Sequence, residues 1–294
     1  MVKISEIIED IKSKKELKKI EDSFIKQEIQ RYLKKNKKIK EKINKEKSFA
    51  RLKHSKEYKR LLKAIRSLAR KSYGMFKLSN EQKAIQELLN YINTNYKNKN
   101  INIDFKDRKL IALHKNVLEH HKSTKERLPH YKKIYRRIFK AIPEVTVVLD
   151  IACGLNPFSY FMIPDFKHII FITSELNKED CKTIQEYLKL IGITGTSVQL
   201  NLVAETKKLK KIKADICFMF KTIDTLENIK RNITRDVLLS INAEYIIASF
   251  PIKSLSGKKL KEERHWFDTL LNSIGYNYNK FKVKNELFYI IEKF

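Results

Sequence analysis

The second half of the chain alternates short apolar runs with amphipathic, helix-like segments. The runs are rich in β-branched and aromatic residues, which is typical of strands buried on both faces. Helical stretches such as residues 178–191 and 228–242 fit between most of them. Strands that alternate with helices predict a mostly parallel α/β sheet covered by layers of helix. The five runs are Val145–Asp150, His168–Thr173, Val198–Leu202, Ala214–Phe220 and Tyr245–Phe250.

Two more strand-like runs lie at the end of the sequence. Tyr276–Val283 and Glu286–Glu292 flank the dipeptide Lys284-Asn285, and this pattern is typical of a β-hairpin. We therefore expect an antiparallel addition at one edge of the sheet.

The first half has the periodicity of helices. Apolar residues recur at helical spacing in Ile4, Ile7, Ile8 and Ile11, and the pattern returns later in this half. Residues 34–47 are almost all charged, which predicts either a solvated helix face or a linker. We expect two domains, an all-helical one over residues 1–140 and an α/β one over residues 141–294.

Charge is distributed unevenly between the two halves. The chain has 63 Lys and Arg against 34 Asp and Glu, a formal charge of +29. Residues 1–140 hold 41 basic and 16 acidic residues, whereas residues 141–294 hold 22 and 18. A surplus of this size predicts a polyanionic partner and is uninformative about fold. The helical half is thus the expected docking region.

Several protein classes are excluded by composition. The apolar stretches are far shorter than the roughly 20 residues that span a bilayer, and residues 1–19 have no apolar signal core. The cysteines, Cys153, Cys181 and Cys217, are widely spaced and form no C-x-x-C. We expect neither a disulfide framework nor a metal site, and we expect a cytoplasmic protein.

Ligands of open α/β sheets bind beyond the carboxyl ends of the strands. The first run ends at Asp150 and continues Ile-Ala-Cys-Gly-Leu-Asn-Pro, while the dinucleotide fingerprint G-x-G-x-x-G is absent. The segment resembles the first motif of S-adenosylmethionine-dependent methyltransferases. In that class a carboxylate after the second strand accepts hydrogen bonds from the ribose hydroxyls, and Glu175 follows the second run.

Two further segments narrow the resemblance. His121-Lys-Ser-Thr-Lys-Glu-Arg127 precedes the sheet, and Ser249-Phe-Pro-Ile-Lys-Ser-Leu-Ser-Gly-Lys258 follows the fifth run. With the Asp150 loop, Trp266-Phe267 and Asn285-Glu286-Leu287, they are similar to segments of the aminoglycoside-resistance 16S rRNA (guanine-N7) methyltransferases. The resemblance covers about residues 119–291. It implies a Rossmann-like class I methyltransferase sheet with an antiparallel edge hairpin, preceded by an all-helical amino-terminal domain.

The same resemblance implies the cofactor site. Arg127 is expected to pair with the methionine carboxylate of S-adenosylmethionine, since a planar guanidinium suits a carboxylate. Glu175 is expected at the ribose, although the family commonly has an aspartate-rich turn there. The remaining expected cofactor contacts are His121, Ser123, Thr124, Asp150, Ala152, Gly154, Asn156, Asn201, Leu202, Phe220 and Lys221.

The resemblance also implies an RNA substrate, the 16S rRNA of the small ribosomal subunit, and we expect the protein to be a monomer. N7 of guanine already has a lone pair, so the sequence is not expected to supply a general base. Phe250 is expected to stack on the target base, Pro251 to form a rigid corner, and Lys253 and Ser254 to make polar contacts. The expected RNA-binding residues are Lys125, Lys132, Lys133, Arg136, Arg137 and Lys258.

Two other functions remain open at this point. The enzyme could methylate another RNA target, such as N1 of a decoding-site adenine. Alternatively, the chain could be a non-catalytic RNA-binding factor in ribosome assembly. The presence of Arg127, Asp150, Gly154 and Glu175 together favours a working cofactor pocket.

Overall fold

The computed structural model describes residues 2–14, 17–18, 20–70, 80–99, 102–252 and 263–293. The chain divides into two compact units, Met1–Phe76 and Lys77–Phe294. None of the helices in the described ranges is long and apolar enough to cross a membrane.

The first unit is built from helices that bury an apolar stripe. The helices are α1 (Ile4–Lys12), α2 (Asp22–Lys35), α3 (Lys37–Lys45), α4 (Phe49–His54) and α5 (Lys56–Ala69). Ser48 and Ser55 cap α4 and α5 by accepting hydrogen bonds from backbone N–H groups. The charged stretch 34–47 is largely helical, because Ile39 and Ile43 of α3 are buried.

The second unit holds one seven-stranded sheet and the helices packed on it. The helices before the sheet are α6 (Glu81–Ile92), α7 (Arg108–Glu119), α8 (Lys122–Arg127) and α9 (Tyr131–Ala141). The strands are β1 (Val147–Ile151), β2 (Ile170–Glu175), β3 (Gly195–Gln199), β4 (Lys213–Phe220), β5 (Asn242–Pro251), β6 (Asn277–Val283) and β7 (Glu286–Glu292). The helices between strands are α10 (Lys178–Leu190), α11 (Ile223–Ile229), α12 (Ile233–Ser240) and α13 (His265–Ser273).

The strand order is β3-β2-β1-β4-β5-β7-β6. Strands β1 to β5 pair in parallel, whereas β7 runs antiparallel to both β5 and β6. The expected fold class, a parallel α/β sheet with an antiparallel edge hairpin, is confirmed. The third strand lies three residues earlier than the sequence pattern indicated, since β3 ends at Gln199.

A hydrophobic core covers each face of the sheet. One core joins helices α6, α7 and α9 to the strands, and it includes Ile134 and Tyr135 of α9 beside Val148, Phe171 and Phe218. The other lies under α11, α12 and α13. The domain boundary expected at residue 140 therefore falls inside the second unit, because α9 and the sheet share one core. The structure divides the chain at residues 76 and 77 instead.

Candidate functional site

The loop after β1 forms the floor of the site. Ala152 and Gly154 both adopt left-handed backbone angles, with φ of 51° and 54°. Such a conformation is free of strain for Gly154 but costs a residue with a Cβ about 1–2 kcal/mol. The N–H of Gly154 donates to Glu175 Oε1 at 2.6 Å. The loop after β1 is thereby fixed to the carboxyl end of β2.

Asp150 organises that loop from below. Its side chain is buried, and its Oδ2 accepts hydrogen bonds from Asn156 Nδ2 and from the Tyr160 hydroxyl, both at 2.7 Å. Burial raises the pKa of Asp150 to about 6, even though both hydrogen bonds favour the charged form. Asn156 and Tyr160 lie in the 3₁₀ turn Asn156–Met162 that follows the loop. Asp150 therefore acts on the site by holding this turn against β1.

Arg127 lies at the centre of a buried polar network. Its Nε lies 3.0 and 3.1 Å from the two carboxylate oxygens of Glu286. Its Nη1 lies 3.4 Å from Asn156 Oδ1, and the guanidinium carbon lies 4.9 Å from the centre of the Phe220 ring. Burial disfavours the charged form, but the Glu286 carboxylate raises the pKa of Arg127. The guanidinium is thus charged and fixed in direction.

Glu286 connects Arg127 to the end of β5 and to Lys221. It accepts a 2.5 Å hydrogen bond from Ser249 Oγ, and its Oε2 lies 3.4 Å from Lys221 Nζ. Lys221 also pairs with Glu126 at 2.6 Å. Its backbone is left-handed, with φ of 55°, and strain of this kind is often found at functional sites. Two cations are held here by two carboxylates.

The start of α8 lies beside the β1 loop. A Cβ added to Gly154 would lie 3.7 Å from Nε2 of His121. Nδ1 of His121 is 2.7 Å from Ser123 Oγ, and the Thr124 hydroxyl donates to the backbone oxygens of Leu118 and His121. The structure therefore brings His121 to the loop, while Thr124 holds the turn before α8.

The residues expected beside the adenine of the cofactor do not all lie on the same face of the sheet. Phe220 ends β4 and packs under Arg127, whereas Leu202 belongs to the core on the opposite face. Asn201 lies beyond the end of β3, where its Oδ1 accepts from the N–H groups of Val203 and Ala204. Asn201 therefore caps a turn in this structure.

Phe250 does not present the open stacking face that the sequence suggested. Its side chain is 1% exposed, and its ring packs edge-on against Phe267 and Tyr289. The Arg264 guanidinium carbon lies 5.0 Å from the ring centre and the same side chain donates to the Pro251 carbonyl. Because β5 is central to the sheet, the ring points into the core. Lys253, Ser254 and Lys258 lie outside the described residues.

The basic residues of α9 lie where the periodicity places them. Tyr131, Ile134, Tyr135 and Ile138 face the core, and the cations between them are exposed. None of these cations forms a salt bridge with another described residue. They are Lys132, Lys133, Arg136, Arg137 and Lys140. Lys125 of α8 is also exposed.

Sequence reasoning missed Glu286 as a site residue. Residues Asn285-Glu286-Leu287 were noticed for their resemblance only, and nothing in the local pattern points to a buried carboxylate. The signal was the hairpin itself, because its antiparallel pairing sets Glu286 opposite Pro251 at the carboxyl end of β5. No cluster of metal-ligating side chains occurs within the described ranges.

Comparison with known proteins identifies relatives of this architecture. The profile of the family described as ribosomal RNA methyltransferase (FmrO) matches residues 96–290. The 16S rRNA (guanine(1405)-N(7))-methyltransferase of Micromonospora rosea is 25% identical over 190 residues, which cover 64% of this chain and 68% of that protein. The enzyme of the same name from Frankia casuarinae is 24% identical over 176 residues, covering 59% and 61%.

Solved structures share the fold. The crystal structure of 16S rRNA methyltransferase RmtF in complex with S-adenosyl-L-homocysteine has a TM-score of 0.76 and 22% identity, covering 99% of this chain and 98% of that one. The 16S rRNA methylase RmtB has a TM-score of 0.71 and 18% identity, with full coverage of both chains. At these identities the likeness shows the fold alone.

Proposed function

Because the chain belongs to the ribosomal RNA methyltransferase (FmrO) family, we propose that it transfers a methyl group from S-adenosylmethionine to N7 of a guanine in 16S rRNA. The observation that carries this proposal is the convergence of Arg127, Gly154 and Glu175 at the carboxyl ends of the parallel strands, inside the matched region. The named relatives act on N7 of a 16S rRNA guanine, which supports the target.

The residues present fit S-adenosylmethionine. Gly154 has no side chain and Ala152 has only a methyl group, so a ligand can approach the main chain of the loop closely. Glu175 is half-buried at the end of β2, where its carboxylate can accept from ribose hydroxyls. The buried hydroxyl of Ser174 has no partner among the described residues. When bound, the cofactor supplies a methyl group on a positively charged sulfur.

Arg127 and Lys221 are the cations available to a methionine carboxylate. Glu286 fixes Arg127 through Nε, and Asn156 and the Phe220 ring hold the rest of the guanidinium in place. A pre-positioned guanidinium loses little entropy on binding a carboxylate, which favours this assignment.

Methyl transfer to N7 requires alignment more than proton transfer. The guanine nitrogen attacks with its own lone pair, and no proton leaves that atom. Holding the two reactants at about 3–3.5 Å contributes up to roughly 7–11 kcal/mol in favourable cases. We therefore assign no general base, and Asp150, buried under the loop, acts as a positioning residue.

The substrate is proposed to be the small ribosomal subunit, which would place the enzyme in the cytoplasm. The exposed cations of α9 and the net charge of residues 1–140 suit contacts with RNA phosphates. The exposed cations of residues 1–140 are proposed to contact the folded particle, while the loops at the carboxyl ends of β1 and β2, with Arg127, hold the cofactor for the transfer. Structured RNA is recognised largely by its shape, which favours an assembled particle over free RNA.

Methylation of purified 30S particles and of naked 16S rRNA with radiolabelled S-adenosylmethionine tests this function. We expect label in the 30S particle, and mass spectrometry of RNase fragments should place it on N7 of one guanine. Label on an adenine, or no transfer to either substrate, would refute the proposal. A preference for naked RNA would refute docking on the assembled particle.

The cofactor site has its own test in calorimetry with S-adenosylhomocysteine. Glu175→Gln should weaken binding roughly 10- to 100-fold, since a charge-assisted hydrogen bond contributes about 1.5–3 kcal/mol. Glu186 is an exposed glutamate on the neighbouring helix α10, so Glu186→Gln is the matched control and should bind as the wild type does. Equal affinity in both variants contradicts the ribose assignment.

A further inference from the structure

A cleft lies at the edge of the sheet, away from the carboxyl ends where the cofactor site is. It has a volume of about 350 Å³ and is lined by residues of α9, β5, β6 and β7, a volume at the lower end of the range for small-ligand pockets. Tyr245, on its wall, lies four residues before Ser249 on β5, so the cleft is ~13 Å along the strand from the Glu286 network.

The lining combines three kinds of side chain. Asn277, Asn279 and Phe281 alternate along β6 and so project on one face of the edge strand. Both asparagines are exposed. Tyr245 stands on the adjoining wall, half-buried, and its hydroxyl lies 3.4 Å from Glu292 Oε1. Arg137 closes the cleft from α9, with its guanidinium carbon 4.8 Å from the centre of the Phe281 ring.

This combination is typical of sites for single-stranded RNA. Bases stack on aromatic rings and on arginine planes, and side-chain amides can donate to and accept from base edges. The one acid on the wall, Glu292, accepts from Tyr245. It would repel a phosphate but leaves room for an uncharged base. The chemistry therefore favours a nucleobase inside the cleft and phosphates outside it.

Helix α9 links the cleft to the cofactor end of the sheet. Tyr131, at its start, donates to Asn156 of the buried network, and Ala141, at its end, lines the cleft. The ten residue-to-residue steps from Tyr131 to Ala141 span ~15 Å along the helix. The exposed cations of α9 follow the same path, and none forms a salt bridge with a described residue. A strand of RNA lying along this helix would meet a cation at each turn.

We propose that the cleft between α9 and β6 binds an unpaired nucleotide of 16S rRNA, whose flanking phosphates lie along the basic face of α9. The proposal rests on the proposed function, since it names a second contact with the same substrate. The cleft adds affinity and register for the ribosomal particle without touching the methyl group or the target base.

The variant Asn277→Ala/Asn279→Ala tests the cleft directly. Both positions are exposed, so folding should be preserved, and thermal unfolding by circular dichroism checks this. We expect binding to 30S particles to be roughly three- to tenfold weaker, as for the loss of a neutral hydrogen bond to a base, and S-adenosylhomocysteine binding to be unchanged. The control is Asn228→Ala/Asn272→Ala, two exposed asparagines of the second unit outside the cleft lining. Affinity of the test variant equal to that of the control would overturn the proposal.

Salt dependence separates base contacts from phosphate contacts. Asn277→Ala/Asn279→Ala should keep the wild-type slope of log K against log salt, because amides displace no counterions. Arg136→Gln, an exposed α9 position outside the cleft lining, should reduce that slope by about 0.7–0.9, the value of one lost phosphate contact. An unchanged slope for Arg136→Gln would overturn the path along α9.

Cross-linking identifies the occupant. With p-benzoylphenylalanine in place of Tyr245, which is half-buried on the cleft wall, irradiation of the complex should attach the enzyme to 16S rRNA. Attachment to a ribosomal protein alone, or none, would overturn the proposal. If the wild-type enzyme neither binds nor methylates 30S particles, the proposed function itself fails. If the wild-type enzyme methylates 30S particles normally but the cleft variants bind them as tightly as their controls do, the cleft assignment fails and the proposed function stands.

Discussion

Neutralising Glu286 should destabilise the second unit more than any conservative surface change. In Glu286→Gln the side chain keeps its size but loses the charge that faces Arg127, whose side chain is 3% exposed. Breaking a buried ion pair costs about 3–5 kcal/mol because the remaining charge is uncompensated. An amide oxygen can still accept one hydrogen bond, which recovers about 1 kcal/mol. We expect a net loss of about 3 kcal/mol.

Urea unfolding followed by tryptophan fluorescence measures this loss of stability in the second unit. The sequence contains one tryptophan, Trp266, which lies in the second unit, so its fluorescence reports on that unit alone. A loss of about 3 kcal/mol corresponds to a decrease of roughly 6–12 °C in the melting temperature of a domain of this size. The matched control is Glu292→Gln, an exposed carboxylate on the same strand, which should change stability by less than about 0.5 kcal/mol.

A double-mutant cycle tests the cause. If the cost arises from the unpaired charge of Arg127, the variant Arg127→Leu/Glu286→Leu should lose less stability than the two single variants together, since an apolar pair leaves no buried charge. A loss below about 1 kcal/mol for Glu286→Gln, or strict additivity in the cycle, would refute the account of the network.

Three further predictions follow from the same geometry. Burial raises the pKa of Asp150 to about 6, so its stabilising contribution is largest below the usual aspartate pKa near 4 and is lost as the pH rises through 6. Relative to Asp150→Asn, the wild type should therefore lose about 2.5 kcal/mol in urea unfolding between pH 4 and 7, and parallel curves would contradict this. Gly154→Ala and Gly192→Ala both place a Cβ on a left-handed residue and should each cost about 1–2 kcal/mol, but only the former should weaken S-adenosylhomocysteine binding in calorimetry. Arg127→Ala should weaken cofactor binding, whereas glutamates at four α9 positions should weaken 30S binding and spare the cofactor; equal loss of cofactor affinity in both would contradict this division of roles. The four positions are Lys132, Lys133, Arg136 and Arg137.

The sheet could be predicted because its central strands are buried on both faces and therefore appear as dense apolar runs. Reliance on apolar runs also explains why the sequence pattern predicts β3 three residues too late. Its segment, Gly195–Gln199, is polar and lies at the sheet edge, so the apolar signal begins only at Val198 and continues into the following turn. Asn201 consequently fell beyond the strand end.

The domain boundary could not be derived from charge. Helices α6, α7 and α9 each carry an apolar face, and α9 also has a strongly basic one. Counting charges assigns them to the first half, but burial assigns them to the core of the sheet. The charge of a helix surface indicates which partners it can bind, whereas its buried face determines which structural unit it packs in.

Residues of the candidate site that directly follow an apolar run could be located from the sequence. A residue that reaches the site through strand pairing could not. Asp150 and Glu175 could be located because each lies at the end of an apolar run. Glu286 has no such local signal, and its role exists only because β7 returns antiparallel to β5.

The buried and exposed cations of the second unit differ in a way that separates two kinds of binding. Arg127 and Lys221 are paired with Glu286 and Glu126, so their charges are compensated before any ligand arrives. The cations on α9 form no salt bridge with a described residue, so counterions must neutralise them until RNA does. Salt should therefore weaken binding of the ribosomal particle steeply while leaving cofactor affinity nearly constant. A cofactor affinity as dependent on salt as RNA binding would mean that the buried pairs open to solvent, contrary to the geometry of the network.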